Sequence, residues 1–120
     1  MTNTDKPAKR KKPFAANNEA RKELESAGWT VAVVEKTIPR CFRKLDMFGF
    51  ADLLAISPTR GFLAIQATGG GNGPARVAKI REEPRHAIWL ATGGRIQVWD
   101  YRKRAGQTKR DCVIIEITRP

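Results

Sequence analysis

Two side chains that could bind a cation lie in neighbouring apolar segments of the sequence. Asp52 belongs to the segment 51–56, and Gln66 belongs to the segment 62–68. The Ser-Pro-Thr-Arg-Gly sequence between these segments is typical of a tight turn, which predicts a β-hairpin. A turn centred on Thr59 places Asp52 directly opposite Gln66, with the two Cβ atoms about 4.5–5.5 Å apart.

Thr68 extends this pair into a cluster of three oxygen ligands. It lies two residues after Gln66 and therefore on the same face of the strand. A carboxylate, a carboxamide and a hydroxyl among apolar neighbours suit a hard cation such as Mg²⁺. The alternative interpretation is that these side chains form a polar strand end that faces water.

The balance of charge indicates the kind of partner. The 120 residues include 23 Lys and Arg against 12 Asp and Glu, which gives a net charge of +11. Such a chain is expected to bind DNA or RNA through the release of condensed counterions. We expect no membrane partner, because the sequence has no apolar run near 18 residues and no basic amphipathic helix with a broad apolar face. The sequence leaves monomer and homodimer open.

The few cysteine and histidine residues exclude several kinds of site. Cys41 and Cys112 are far apart and lack the spacing of a metal site, so free thiols in a cytoplasmic protein are expected rather than a disulfide. His86 is the single histidine, which makes a zinc site or a histidine-dependent catalytic pair hard to assemble. We expect His86 to pack within a helix.

Apolar periodicity and turn signals predict one mixed α/β domain over residues 15–120, preceded by a Lys-rich, disordered basic arm over residues 1–14. The expected element order is α-β-β-β-α-β-β. Both faces of the two hairpin strands are largely apolar, so these strands belong in the middle of a sheet with helices on both sides. The first expected elements are a helix that Asn17 opens as N-cap and Gly28 ends, a strand at 29–34, a loop that includes Pro39 and Asp46, and the hairpin strands at 51–56 and 62–68. A helix from Pro74 follows, which Pro84 breaks before a second piece to Ala91, and then strands at 96–101 and 112–118.

This order of elements, with Asp52 opening one strand and Gln66 ending the next, resembles the PD-(D/E)XK nuclease superfamily. The resemblance spans about residues 17–101, and the layout is similar to small Holliday-junction-resolvase-like endonucleases, many of which phages carry. It implies a restriction-endonuclease-like fold with a mixed central sheet flanked by helices. It also implies an endonuclease that uses Mg²⁺ or Mn²⁺ to hydrolyse DNA.

Carried over residue by residue, the resemblance assigns a catalytic set. Asp52 matches the metal-binding aspartate of the motif, and Gln66 stands where the family usually has Glu or Asp. Thr68 stands in the place of the motif lysine, a role that we expect Lys79 to take over. The backbone carbonyl of Ala67 is a further expected metal ligand. Glu19 or Asp46 is expected to add negative charge, with Glu35 as a weaker candidate. Glu23 is the alternate to Glu19.

Basic and polar residues around this set are expected to bind the nucleic acid. The glycine-rich segment 69–73 leads into a helix, and free N–H groups behind Asn72 could hold a backbone phosphate. The alternative is that this segment is a flexible connector. Trp99 is expected in the core. The expected nucleic-acid contacts are Arg40, Arg43, Lys44, Thr68, Asn72, Arg76, Arg102 and Lys103.

The sequence thus predicts a metal-dependent DNA endonuclease with branched DNA as the substrate that the resemblance favours. Loss of both the acidic residue and the lysine from the motif supports an alternative, a catalytically inactive nucleic-acid-binding domain on the same fold. A second alternative is a basic module that docks on an acidic protein.

Overall fold

The computed structural model describes residues 14–41 and 43–119, and for Arg43 it describes the backbone alone. The sequence-predicted basic arm lies outside these ranges except for Phe14. The described chain is a mixed α/β fold with three helices and a five-stranded mixed sheet. Among the described residues, no helix is both long and apolar enough to cross a bilayer.

The elements follow the expected order, with two short strands added after the first strand. The helices are α1 (Ala16–Ser26), α2 (Gly73–Glu82) and α3 (Pro84–Ala91). The central sheet has the strand order β1-β4-β5-β6-β7, in which only the β5–β6 pair is parallel. The strands are β1 (Thr30–Val33), β2 (Lys36–Ile38), β3 (Arg43–Leu45), β4 (Leu53–Ser57), β5 (Gly61–Gly69), β6 (Arg95–Lys103) and β7 (Arg110–Ile117).

The sheet has a hydrophobic core on each face. On one face, Leu24 of α1 packs in a cluster that includes Ile65 and Trp99. On the other face, Ile80 of α2 and Leu90 of α3 pack in a second cluster with strand residues. Strand β5 is therefore covered on both sides, as its two apolar faces predict. For β4 the prediction is wrong on one face, because Ile56 is 51% exposed and the second cluster contains no β4 residue.

The hairpin of β4 and β5 has the predicted register. Leu53 pairs with Ile65, and Ile56 pairs with Phe62. The strand pairs end at Leu53 and Ile65, and beyond them the Asp52 N–H donates to the Ile65 carbonyl at 3.0 Å, one residue out of that register. The Ser-Pro-Thr-Arg-Gly sequence forms the turn, so the predicted hairpin is confirmed. Asp52 and Gln66 are not a strand pair, but both line the same cavity.

Two local predictions need correction. The segment after β1 was expected to be a loop, but β2 and β3 pair there as a two-stranded antiparallel sheet. Thr37 and Ile38 favour extended structure, and Pro39 begins the turn between the strands. Helix α1 begins at Ala16, so Ala15 occupies the N-cap position and offers no side-chain acceptor, while Asn17 lies in the first turn and donates to Glu35.

The residues expected to be structural are structural. Trp99 lies in the core, and His86 is buried with Nδ1 2.6 Å from the Glu83 carbonyl oxygen. Both Cys41 and Cys112 are free thiols. Pro84 begins α3 and separates it from α2, which confirms the expected break.

Candidate metal centre

A polar cavity of about 280 Å³ lies at the end of the β4–β5 hairpin where Asp52 faces Gln66. It lies between the N-terminal turn of α1, the segment around the small β2–β3 sheet and helix α2. Nine residues line it, namely Asn17, Glu35, Lys44, Asp46, Asp52, Gln66, Ala67, Arg76 and Lys79.

Three carboxylates converge in this cavity from three different segments. Glu35 lies between β1 and β2, Asp46 follows β3, and Asp52 directly precedes β4. Each of them offers a carboxylate oxygen within 4.8 Å of the other two. The small β2–β3 sheet explains this convergence, because its pairing holds the chain segments that carry Glu35 and Asp46 side by side.

Gln66 adds a neutral oxygen ligand to the carboxylates. Its side chain is only 4% exposed, and Nε2 donates to Asp46 Oδ2 at 3.1 Å. Its Oε1 atom is buried and has no hydrogen-bond partner among the described residues. Buried polar atoms are nearly always paired, so an unpaired oxygen on a residue that lines a polar cavity is compatible with a missing donor or cation.

Asn17 repeats this pattern on the other side of the cavity. Its Nδ2 atom donates to Glu35 Oε2 at 2.7 Å, and its Oδ1 atom is buried without a partner among the described residues. Each carboxamide thus holds one carboxylate through its nitrogen and leaves one oxygen available. The two amides fix the orientation of Glu35 and Asp46 without adding charge.

The electrostatics of the cavity oppose the ionisation of Asp52 in the absence of a cation. The pKa of its carboxyl is raised from 3.8 to about 8, and burial is the largest cause. A hydrogen bond with Asp46 and the negative charges of Asp46 and Glu35 also raise this pKa, whereas a hydrogen bond from the Ala67 backbone lowers it. A cation among these groups would reverse the main effects, because it favours the ionised carboxylate.

Three basic side chains border the acidic cluster. Arg76 and Lys79 lie three residues apart on α2, and both line the cavity. Lys44 Nζ lies 3.5 Å from Glu35 Oε1. Phosphate oxygens could therefore contact cations at the rim of the cavity while a metal ion is bound by the oxygens beneath it.

The N-terminus of α2 is fixed by a buried carboxylate. Asp100 is fully buried and accepts hydrogen bonds from the N–H groups of Gly71 and Gly73 at 3.2 and 3.0 Å. Arg102 Nε also donates to it at 2.9 Å. The phosphate expected on the N–H groups behind Asn72 would meet this internal acceptor, so these two N–H groups are not free for a ligand.

The structure brings together most of the predicted metal and catalytic residues but not Glu19. Glu19 lines another cavity, together with Glu23 and Tyr101. The reason is helical geometry, since two residues correspond to a rotation of about 200°. Asn17 and Glu19 therefore point to different sides of α1, and Glu35 is the acidic residue that lines the cavity instead.

The predicted nucleic-acid contacts divide into two groups. Lys44 and Arg76 line the cavity, whereas Thr68 is buried, and Asn72 donates through Nδ2 to the Gly69 carbonyl at 2.6 Å. The remaining basic side chains lie away from the cavity lining, with Arg40 and Lys103 exposed and Arg102 paired with Asp100. The Arg43 side chain is outside the described part of the chain.

Sequence reasoning missed Asn17 as a site residue and ranked Glu35 too low. Asn17 was interpreted as the N-cap, although it lies three residues before the buried Ala20 and so shares the inward face of α1. That spacing was the available signal. The sequence held no such signal for Glu35, because the position of Glu35 depends on the β2–β3 pairing.

The cavity has the chemistry of a site for a hard divalent cation. Carboxylate and carboxamide oxygens are the ligands that Mg²⁺ prefers, usually together with water. In comparisons with known proteins, no family model, no curated protein and no solved structure matches the chain.

Proposed function

We propose that the protein is a metal-dependent DNA endonuclease of the PD-(D/E)XK type on a restriction-endonuclease-like fold. The observation that carries this proposal is the cluster of three carboxylates in a cavity that Gln66 also lines, together with the buried and unpaired Oε1 atom of Gln66. The β4–β5 hairpin, which brings Asp52 and Gln66 to one cavity, supports it. So does the parallel β5–β6 pair joined through α2 and α3.

In this proposal, Asp52, Asp46, Glu35 and Gln66 Oε1 hold Mg²⁺ or Mn²⁺, with the Ala67 carbonyl as a further ligand. The chemistry that the bound ion supplies is Lewis acidity, which generates hydroxide from water and offsets charge on the phosphate. The three carboxylates provide the negative charge that a motif with the neutral Gln66 would otherwise lack. Asp52 gives up its proton when the ion binds.

Lys79 and Arg76 contact the substrate in this proposal. A phosphodiester that reaches the cavity contacts both cationic side chains of α2. Lys79 takes the role of the motif lysine, whose position in the sequence is occupied by Thr68. A positive charge there stabilises the additional negative charge that develops on phosphorus as water attacks. Hydrolysis adds the elements of water across one P–O bond and releases two DNA ends.

A labelled four-way junction incubated with Mg²⁺ or Mn²⁺ tests the activity. We expect the wild-type protein to cleave it and the Asp52→Asn protein to lose at least about 100-fold in rate, since a ligand of the metal is removed. Glu19→Gln is the matched control, because Glu19 lines a different cavity. Equal rates for wild type and Asp52→Asn, or loss of activity in the control alone, would contradict the proposal.

A second candidate function is a catalytically inactive nucleic-acid-binding domain on the same fold. The observation that favours it is the replacement of the motif acid and lysine by Gln66 and Thr68. Tight, salt-sensitive binding of the junction without cleavage by any of these proteins would establish this candidate.

A further inference from the structure

Strand β7 forms one edge of the central sheet and has eight residues, whereas β1 at the opposite edge has four. All eight residues of β7 pair with β6 in one uninterrupted register. Within the described ranges 14–41 and 43–119, β7 makes no backbone hydrogen bond to any other element. Proteins commonly protect an exposed edge with a short strand, a bulge, proline or lysine, and β7 has none of these features.

The side chains of β7 form a pattern that is complementary to itself. The segment 112–115 is Cys-Val-Ile-Ile, in which Val113 is 38% exposed and Ile114 is 48% exposed. Arg110 and Glu116 lie on either side of this segment, and both are exposed. An apolar centre between opposite charges matches a second copy of itself when that copy runs in the opposite direction.

The hydrogen bonds of β6 show which backbone groups of β7 are available. The Tyr101 carbonyl accepts from the Gly70 N–H at 3.1 Å, on the β5 side of β6. Because the backbone groups of successive strand residues alternate between the two neighbouring strands, those of Asp100 face β7, where Val113 lies opposite. The backbone groups of Val113 therefore face β6, and those of the residues before and after Val113 are directed to the free edge.

We propose that two copies of the chain associate through antiparallel pairing of their β7 strands, about a two-fold axis at Val113. The two central sheets then form one continuous sheet, in an interface that is the same on both copies. This register sets Arg110 of each copy opposite Glu116 of the other, and Cys112 opposite Ile114. The alternation of backbone groups also allows an axis one residue away on either side, but both positions lose the two ion pairs.

Glu116 remains accessible to the second copy. Its carboxylate lies 2.9 Å from Arg95 of the same chain, and its side chain is still 34% exposed. A carboxylate has two oxygens and about four acceptor sites, so it can accept from a second guanidinium. The pairing with Arg95 also holds the carboxylate above the strand, where Arg110 of the second copy would lie.

The mass of the full-length chain in solution tests the association, measured by sedimentation equilibrium at about 0.15 M salt, where exposed charges more than about 8 Å apart are largely screened. We expect a dimer for the wild-type protein. Ile114→Lys should raise the dissociation constant by at least about tenfold, because a lysine on an edge strand opposes pairing. Val33→Lys is the matched control, since Val33 is 54% exposed on the opposite edge strand, and it should change the constant by less than about twofold.

Cross-linking tests the register in a chain whose Cys41 and Cys112 are replaced by alanine. Val113→Cys should form a disulfide-linked dimer on mild oxidation, because the axis brings the two Cα atoms to about 4.5 Å. Asp111→Cys is the control, since its two copies would lie about 13 Å apart. A wild-type monomer at all concentrations up to about 0.1 mM, a dimer that Ile114→Lys leaves intact, or the absence of a disulfide at position 113 would overturn the proposal.

Discussion

Asn17 and Gln66 contact the acidic cluster in the same way. Asn17 donates its amide N–H to Glu35, and Gln66 donates its amide N–H to Asp46. The amide oxygen of each is unpaired among the described residues. A side chain that orients a metal ligand in this way typically changes metal affinity by 10- to 100-fold when it is removed. The polar pairs therefore hold two carboxylates beside Asp52, which would preorganise the proposed metal site.

At the same scale, the buried Asp52 carboxyl makes a testable contribution to stability. Because burial raises its pKa from 3.8 to about 8, the folded protein holds a proton that the unfolded chain releases. The free energy of unfolding should therefore fall as the pH rises across that interval. Asp52→Asn cannot lose this proton, so its stability relative to wild type should increase from pH 4 to pH 8.

Chemical denaturation in the presence of a chelator, repeated across this pH range, measures the difference. A stability difference that does not vary with pH would show that Asp52 ionises normally in the fold. In the same range, affinity for Mn²⁺ should rise by about tenfold per pH unit, since binding displaces one proton.

At the scale of elements, local sequence determines some parts of the site and leaves others to long-range pairing. The β4–β5 register could be predicted, because one turn sequence and two apolar strands fix which residues oppose each other. The break at Pro84 and the start of α2 near Pro74 could be predicted for similar local reasons. The Glu35 position could not, because it depends on the pairing of β2 with β3 rather than on its own neighbours.

Glu19 illustrates the same limit within a helix. The resemblance to a family fixed the distance of an acidic residue from the end of α1, but the face that it occupies depends on how the helix packs. Ala20 and Leu24 are the buried residues of α1. Because α1 packs through this face, Glu19 lines a cavity with Tyr101, whereas Asn17 lines the cavity that holds the carboxylates.

Helix α2 carries Arg76 and Lys79, and we expect its placement to depend on Asp100. Asp100→Ala would leave the N–H groups of Gly71 and Gly73 without their acceptor in a buried position. The expected loss is on the order of 3 kcal/mol of unfolding free energy. Denaturation curves measure it.

Asp111→Ala is the control for this prediction, because Asp111 is exposed and pairs with Arg104 on the same hairpin. Exposed ion pairs contribute about 0–1 kcal/mol. Similar losses for the two variants would contradict the assigned role of Asp100.

At the scale of the whole molecule, the net charge of +11 is the basis of the proposed association with nucleic acid. Affinity for DNA should fall linearly with the logarithm of salt concentration, with a slope that counts the phosphates neutralised. Replacing the basic cluster of the N-terminal arm with alanine should reduce the slope by about 1 for each side chain that contacts phosphate. The four replaced residues are Lys9, Arg10, Lys11 and Lys12.

Fluorescence anisotropy of labelled DNA at several salt concentrations gives this slope. Replacing Thr2, Asn3 and Thr4 with alanine is the control, because it alters the same segment without changing its charge. An unchanged slope after removal of the four charges would exclude the arm from the interface.

The central claim is that the cavity between Asp52 and Gln66 binds a divalent cation. Anomalous diffraction from a crystal soaked in Mn²⁺ tests it most directly. We expect one strong peak about 2.0–2.6 Å from an Asp52 carboxylate oxygen and Gln66 Oε1, with Asp46 or Glu35 also in contact. A crystal that binds Mn²⁺ elsewhere, or that leaves this cavity without a peak, would contradict the account.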